Sequence, residues 1–197
     1  MRTYRINEIF YSIQGEGEYT GRTAVFVRFS GCNLKCPFCD TDFKAYVEAT
    51  AEMIVAYAKK LGGDCRFVVL TGGEPMLQAD SELIETLHKA GYYVAVETNG
   101  TMPILIPVDW VTVSPKQTFV GSAGTPRLRK ANEVKVVFDG VHTPSTYGIE
   151  AEHYYLQPCD TGNEKKNAAI LKACVDYILG HPKWKLSLQT QKIINVR

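Results

Sequence analysis

The 197-residue sequence has no apolar run approaching the roughly 18 residues of a membrane span. Its opening, MRTYRINEIFYSIQGEGEYT, carries Arg2, Arg5 and Glu8 and no apolar h-region, so a secretory signal is not expected. Charge of one sign is lacking as well. The net charge of +1 gives no global field to draw the chain to nucleic acid or to a membrane. The one basic run, Arg127 to Lys130, suits a solvated face or a clamp for a small anion. No internal repeat, low-complexity tract or linker is present. The expectation is a single domain, residues 1–197, in the cytoplasm, with no nucleic-acid or membrane partner.

Histidine is scarce, and no His-x3–5-His pair exists. Cysteine is not scarce, but half of it sits in one short stretch, SGCNLKCPFCDT, with the spacing Cys32-x3-Cys36-x2-Cys39. In a reducing compartment such thiols are metal-binding, catalytic or buried rather than disulfide-bonded. A zinc site needs four ligands, and the other cysteines, Cys65, Cys159 and Cys174, stand alone. Inert core thiols would not have Asn, Lys and Pro between them. Three thiolates on a 4Fe–4S cube would leave one iron open to a cofactor. From spacing alone all three readings stay open, with the cluster favoured.

The chain alternates strands with connections. Strands are expected at 24–30, 66–71, 92–98, 109–114, 133–139, 153–157 and 184–190. Helices are expected at 50–62, 81–91 and 164–180. Thr50 caps the first helix, whose buried face would be Met53, Ile54, Tyr57, Ala58 and Leu61. The last helix would bury Ile170, Leu171, Cys174, Val175, Ile178 and Leu179. Such alternation predicts a parallel α/β sheet. A full (β/α) barrel takes about 250 residues, and the segment between 98 and 109 is too short for a crossover helix. The expected fold is therefore an incomplete, trimmed, TIM-like partial barrel. Missing helices would leave apolar sheet uncovered, and a homodimer would cover it.

The cysteine motif, with Phe38 just before its third cysteine, resembles the signature of radical S-adenosylmethionine enzymes. TGGEP, Thr71 to Pro75, follows the next strand and resembles their methionine-binding turn. The stretches 12–32, CDT (39–41), ETNGT (97–101), SPK (114–116), LQPCD (156–160) and WKLSLQTQKIINVR (184–197) are similar to the 7-carboxy-7-deazaguanine synthase family. That resemblance runs from Asn7 to Arg197.

The resemblance implies a substrate, 6-carboxy-5,6,7,8-tetrahydropterin, whose ring contracts with loss of ammonia after a 5′-deoxyadenosyl radical removes a hydrogen. It implies a 4Fe–4S cluster on Cys32, Cys36 and Cys39, S-adenosylmethionine that is regenerated, and Mg²⁺ at Thr41. It implies cofactor contacts from Phe38, Cys39, Asp40, Gly73, Glu74, Ser114, Pro115 and Lys116. Substrate contacts would come from Ile13, Gln14, Gly15, Glu16, Arg28, Thr71 and Gln157, with Glu97 and Asn99 ending a strand at the same rim. A reducing partner such as flavodoxin is implied too. The residue types agree. Mg²⁺ takes hard oxygen ligands such as the Thr41 hydroxyl. Gln14 and Glu16 offer the paired donor and acceptor that a pterin edge needs. Arg28, inside the apolar strand AVFVRF, needs an anion, either the substrate carboxylate or an internal carboxylate. Cys65 and Cys174 read as structural thiols, and burial is the first reading of Cys159 too. The alternative function is a glycyl-radical-enzyme activase of the same superfamily; a non-catalytic zinc module is the third class.

Overall fold

The computed structural model describes residues 2–39, 41–42 and 45–197. Nine strands form one open sheet: β1 (Tyr4–Ile13), β2 (Thr23–Phe29), β3 (Val47–Ala49), β4 (Phe67–Gly72), β5 (Tyr93–Thr98), β6 (Trp110–Val113), β7 (Glu133–Phe138), β8 (His153–Pro158) and β9 (Lys185–Leu186). Their spatial order is β3-β1-β2-β4-β5-β6-β7-β8-β9. The pairs β1–β2 and β1–β3 are antiparallel, and every pair from β2–β4 to β8–β9 is parallel. The sheet does not close, as the trimmed-barrel expectation requires. Among the described residues no helix is long and apolar enough to cross a membrane.

Helices α1 (Ala51–Gly62), α2 (Ser81–Lys89) and α4 (Glu164–Gly180) are each started by a side chain that accepts from a backbone N–H of the first turn: Thr50 from Met53, Asp80 from Leu83 and Asn163 from Lys166. Short turns α3 (Gln117–Val120) and α5 (Thr190–Ile193) complete the helices. One core lies between β1, β2, β4 and β5 and helices α1 and α2. A second lies between β7, β8 and α4.

Several expectations change. The expected face of α1 is rotated. Ala51, Ile54, Val55, Ala58 and Gly62 are buried, while Met53, Tyr57 and Leu61 are exposed. Small residues let this helix approach the sheet closely, since a Cβ at Gly62 would stand 2.6 Å from Val25 Cγ2. Helix α4 likewise rolls onto Ala173, Cys174 and Tyr177, whose ring meets Phe138 at 5.7 Å, and leaves Leu171 and Leu179 exposed. The last expected strand shrinks to Lys185–Leu186, because the chain then leaves the sheet and turns into α5. No helix forms between β5 and β6, as expected. The sheet there is not left bare, however, because Met102, Ile104, Ile106 and Val108 pack against the first core.

Strand β1 was not anticipated, and it matters for the site. A bulge between Ile6 and Glu8 shifts its register. Tyr4 and Ile6 face the helix-covered core. Beyond the bulge Phe10 faces the other side, stacked on Phe26, and Glu8 lies opposite Arg28.

Candidate active site

The parallel strands end at one rim, where loops in α/β folds build sites. A cavity of about 890 Å³ opens there. Its two sides have different chemistry.

One side is the loop after β2. All three thiols, Cys32, Cys36 and Cys39, line the cavity. The loop is held by backbone and amide contacts. Leu34 is 5% exposed and anchors it in the interior. Asn33 donates to Thr101 Oγ1 (2.8 Å), and Asn99 Nδ2 donates to Asn33 Oδ1 (2.9 Å). Burial pushes the Cys32 and Cys36 thiols above their usual range, while the ammonium of Lys116 pulls Cys36 back. Lys116 is itself held near 8, mainly by burial, and donates to Ser114 O (2.7 Å). Among the described residues no three Cys, His, Asp or Glu side chains converge to share a single ion. A polynuclear cluster spreads its thiolates over separate irons, and three thiols around one wall with an ammonium beside them fit such a group.

The glycine turn after β4 lies against this loop. Glu74 N–H donates to Gly31 O (2.9 Å), and a Cβ at Gly73 would stand 1.9 Å from that oxygen. Gly73 and Gly72 line the cavity. Glu74 lies behind that lining. It is fully buried, and its carboxylate accepts from Thr98 Oγ1 (2.7 Å), Asn99 N (2.8 Å) and Met76 N (3.1 Å). It ties the turn to β5. Burial outweighs these bonds and pushes its carboxyl above the usual range. Pro115 is buried off the wall, while Ser114 and Lys116 line it. Phe38 lines it too, with its ring edge-on to Phe119 at 4.7 Å. Asp40 lies outside the described residues.

The other side gathers Ile13, Gln14, Gly15, Glu16, Arg28, Thr71 and Gln157, all on the wall. Both readings of Arg28 meet here. Its Nε donates to Glu8 Oε1 (2.7 Å), its Nη1 donates to Thr41 Oγ1 (3.3 Å), and it still lines the cavity. Thr41 puts one hard oxygen on the wall. Glu97 and Asn99 are there as well.

Sequence reasoning missed Lys135, Gln189 and Gln191. Lys135 Nζ donates to Glu16 Oε2 (2.6 Å) and Glu97 Oε2 (2.9 Å). Gln189 and Gln191 donate to Glu16 Oε1 at 3.0 and 3.3 Å. Burial would raise Glu16, but the Lys135 charge and these bonds win and hold it at about 2. The signal for Lys135 was available: a cation inside the apolar strand EVKVVF, the same cue that singled out Arg28.

Three thiols on one loop leave one place on a four-iron cube for a small molecule, Cys159 lining the same cavity only from the end of β8, and the glycine-lined space beside the loop can seat it. That division of labour belongs to radical S-adenosylmethionine enzymes. The model of the radical SAM superfamily matches residues 26–178. The chain is 49% identical to 7-carboxy-7-deazaguanine synthase of Bacteroides thetaiotaomicron, over 98% of both chains. It is 40% identical to the synonymous protein of Burkholderia multivorans, over 98% of this chain and 99% of that one. The crystal structure of QueE from Escherichia coli superposes with a TM-score of 0.74 at 28% identity, covering 95% of this chain and 94% of that one. The chain belongs to the 7-carboxy-7-deazaguanine synthase family of the radical SAM superfamily.

Proposed function

We propose that this chain converts 6-carboxy-5,6,7,8-tetrahydropterin into 7-carboxy-7-deazaguanine and ammonia, as a single radical SAM domain spanning 1–197. The observation that carries the reading is the continuity of one cavity from the three thiols to the Arg28, Gln14 and Glu16 wall. When bound to Cys32, Cys36 and Cys39, a 4Fe–4S cluster with S-adenosylmethionine supplies a hydrogen-abstracting radical. The conversion is redox-neutral, so the cofactor can be regenerated.

The chain's own residues bind and orient. Gly72 and Gly73 let the cofactor approach the backbone, and Phe38, Ser114 and Lys116 border the same space. Arg28 receives the substrate carboxylate, and Thr41 holds Mg²⁺ together with that carboxylate and waters. Gln14 donates and accepts, and Glu16 and Glu97 accept, along the pterin's nitrogen edge.

A one-electron donor of the flavodoxin kind, a cytoplasmic setting and a homodimer complete the proposal. The exposed row Met53, Tyr57 and Leu61 on α1 supports the dimer. A stable monomer by light scattering at micromolar concentration would reject it.

The test is anaerobic reconstitution with reductant, S-adenosylmethionine, Mg²⁺ and the pterin. Mass spectrometry should find the deazaguanine. If 5′-deoxyadenosine and methionine form without it, the pterin reading fails and radical transfer to a protein becomes the reading to test.

A further inference from the structure

Strand β7 alternates cleanly. Val134, Val136 and Phe138 enter the second core, while Lys135 and Val137 face the cavity. Lys135 is 4% exposed. A lone ammonium at that depth would be costly, and two neighbouring carboxylates without it would repel. Here one Nζ serves both. It lies 2.6 Å from Glu16, on the loop after β1, and 2.9 Å from Glu97, on β5. The ammonium therefore joins three separate chain segments on one wall.

Counting acceptors shows what the arrangement leaves for a ligand. Glu16 Oε2 is taken by Lys135, and Glu16 Oε1 by Gln189 and Gln191. Glu97 Oε2 is taken by Lys135, but among the described residues Glu97 Oε1 accepts only a long bond, 3.4 Å, from Gln14 Nε2. That oxygen belongs to a cavity-lining residue and has room for a shorter, stronger bond from a substrate N–H.

We propose that Lys135 is a positioning residue for the pterin reaction, fixing Glu16 and Glu97 as an ionised pair that presents Glu97 Oε1 to the substrate's N–H edge. This rests on the cavity being the pterin site. The ammonium does two things. It sets the separation and orientation of the two carboxylates, and its charge helps hold the Glu16 carboxyl below the usual range. A carboxylate oxygen that can only accept selects for a donor. The cyclic guanidine edge of a 2-amino pterin offers one, and its 2-oxo counterpart sets a carbonyl oxygen against a carboxylate. The other charged groups that face Lys135 are Glu133, two residues earlier on β7, and Lys116, after β6. Neither lies within hydrogen-bonding distance of it, so the Glu16 and Glu97 contacts dominate.

The test compares cluster-loaded wild type with Lys135→Met and Lys135→Arg. Pterin turnover is measured from pH 6 to 9, and the dissociation constants of the pterin and of S-adenosylmethionine are measured separately. In wild type, Glu16 stays ionised over that range and adds no limb to kcat/KM. In Lys135→Met, Glu16 loses the charge that opposes its burial, so its carboxyl shifts upward and takes up a proton more readily. The variant's kcat/KM should fall about 100-fold at pH 7 and recover in part as pH rises, with pterin binding weakened and S-adenosylmethionine binding unchanged. Lys135→Arg keeps the charge and should show the wild-type pH profile, with kcat/KM restored to within about tenfold of wild type.

A Lys135→Met profile parallel to wild type, or equal losses of both ligands, would overturn the proposal. If Lys135→Met does not fold, Glu97→Gln decides. It should raise the pterin KM about tenfold or more with S-adenosylmethionine binding intact, and an unchanged KM overturns the proposal. Wild type that turns over no pterin defeats the underlying reading first, before any variant is compared.

Discussion

Gly73 packs so closely on Gly31 that a Cβ at position 73 would stand 1.9 Å from the Gly31 carbonyl oxygen. The neighbour is backbone and cannot swing aside. Gly73→Ala must therefore push the glycine turn off the cysteine loop and strain the bond from Glu74 N–H to Gly31 O. The expected cost is about 1–3 kcal/mol of stability, with weaker S-adenosylmethionine binding. Gly180→Ala is the control, because nothing lies within 4 Å of its added methyl. Thermal melts and equilibrium dialysis read both effects; a Gly73→Ala protein indistinguishable from the control would refute the packing argument.

The six cysteines should separate into two behaviours. Cys36→Ala removes a thiol from the cavity wall, and is expected to lose iron, brown colour and 5′-deoxyadenosine formation together. Cys174 is fully buried against the second core, and burial raises its thiol to about 11. Cys174→Ser places a hydroxyl in that apolar site, costing about 1–3 kcal/mol while iron content and turnover persist. Iron analysis beside a melting curve distinguishes them.

Stability should depend on pH through Glu133. This residue is 1% exposed; its Oε2 accepts from Glu18 N (2.9 Å), and its Oε1 has no partner. Burial raises its carboxyl to about 7 in the folded protein, despite the attraction of Lys135. The folded state then holds a proton that the unfolded state releases near 4.5, so this contribution is full below about 4.5 and is lost as pH rises toward 7. Glu133→Gln should flatten the decline between pH 5 and 7 and raise the melting temperature at pH 8. A variant with the wild-type slope would show that Glu133 does not carry it.

Arg28 faces a stricter test than its charge. Glu8 already occupies its Nε, so the proposed grip on the substrate carboxylate would fall to the rest of a planar fork. Arg28→Lys keeps the charge and loses the fork, and should raise the pterin KM about tenfold or more. Binding of S-adenosylmethionine should change less than pterin binding, since the lost fork is the group proposed to receive the pterin carboxylate. Steady-state kinetics with varied pterin gives the answer directly.

The thiol loop, the glycine turn and most of the parallel strands could be read in the sequence because each carries a local cue: spacing, a Gly-Gly pair, or a β-branched run. Strand β1 could not, since its bulge breaks the alternation that marks a strand and reverses which face Glu8 and Phe10 occupy. The face of α1 was misread because alanines and a glycine, weak hydrophobic signals, win the interior by allowing close approach. Glu74 has the right residue type for an ammonium partner, yet its three internal hydrogen bonds become visible only when β5 is placed beside it. Gln189 and Gln191 reach Glu16 only because the chain leaves the sheet after Leu186 and folds back across the QGEG loop.

That last crossing orders events in time. Thr190 N–H bonds Gly15 O at 3.0 Å, and Ser12 Oγ donates to Arg197 O at 2.6 Å, so the pterin-facing wall joins the two far ends of the numbered chain. During synthesis at about 5–20 residues per second, the cysteine loop emerges roughly ten to thirty seconds before Gln189 and Gln191 can meet Glu16. A nascent chain would therefore pass through a stage in which the thiols are already looped on a growing sheet while the opposite wall is still missing. Formation of the thiol loop and completion of the Glu16 wall are separable steps in the birth of this chain, and the wall comes second.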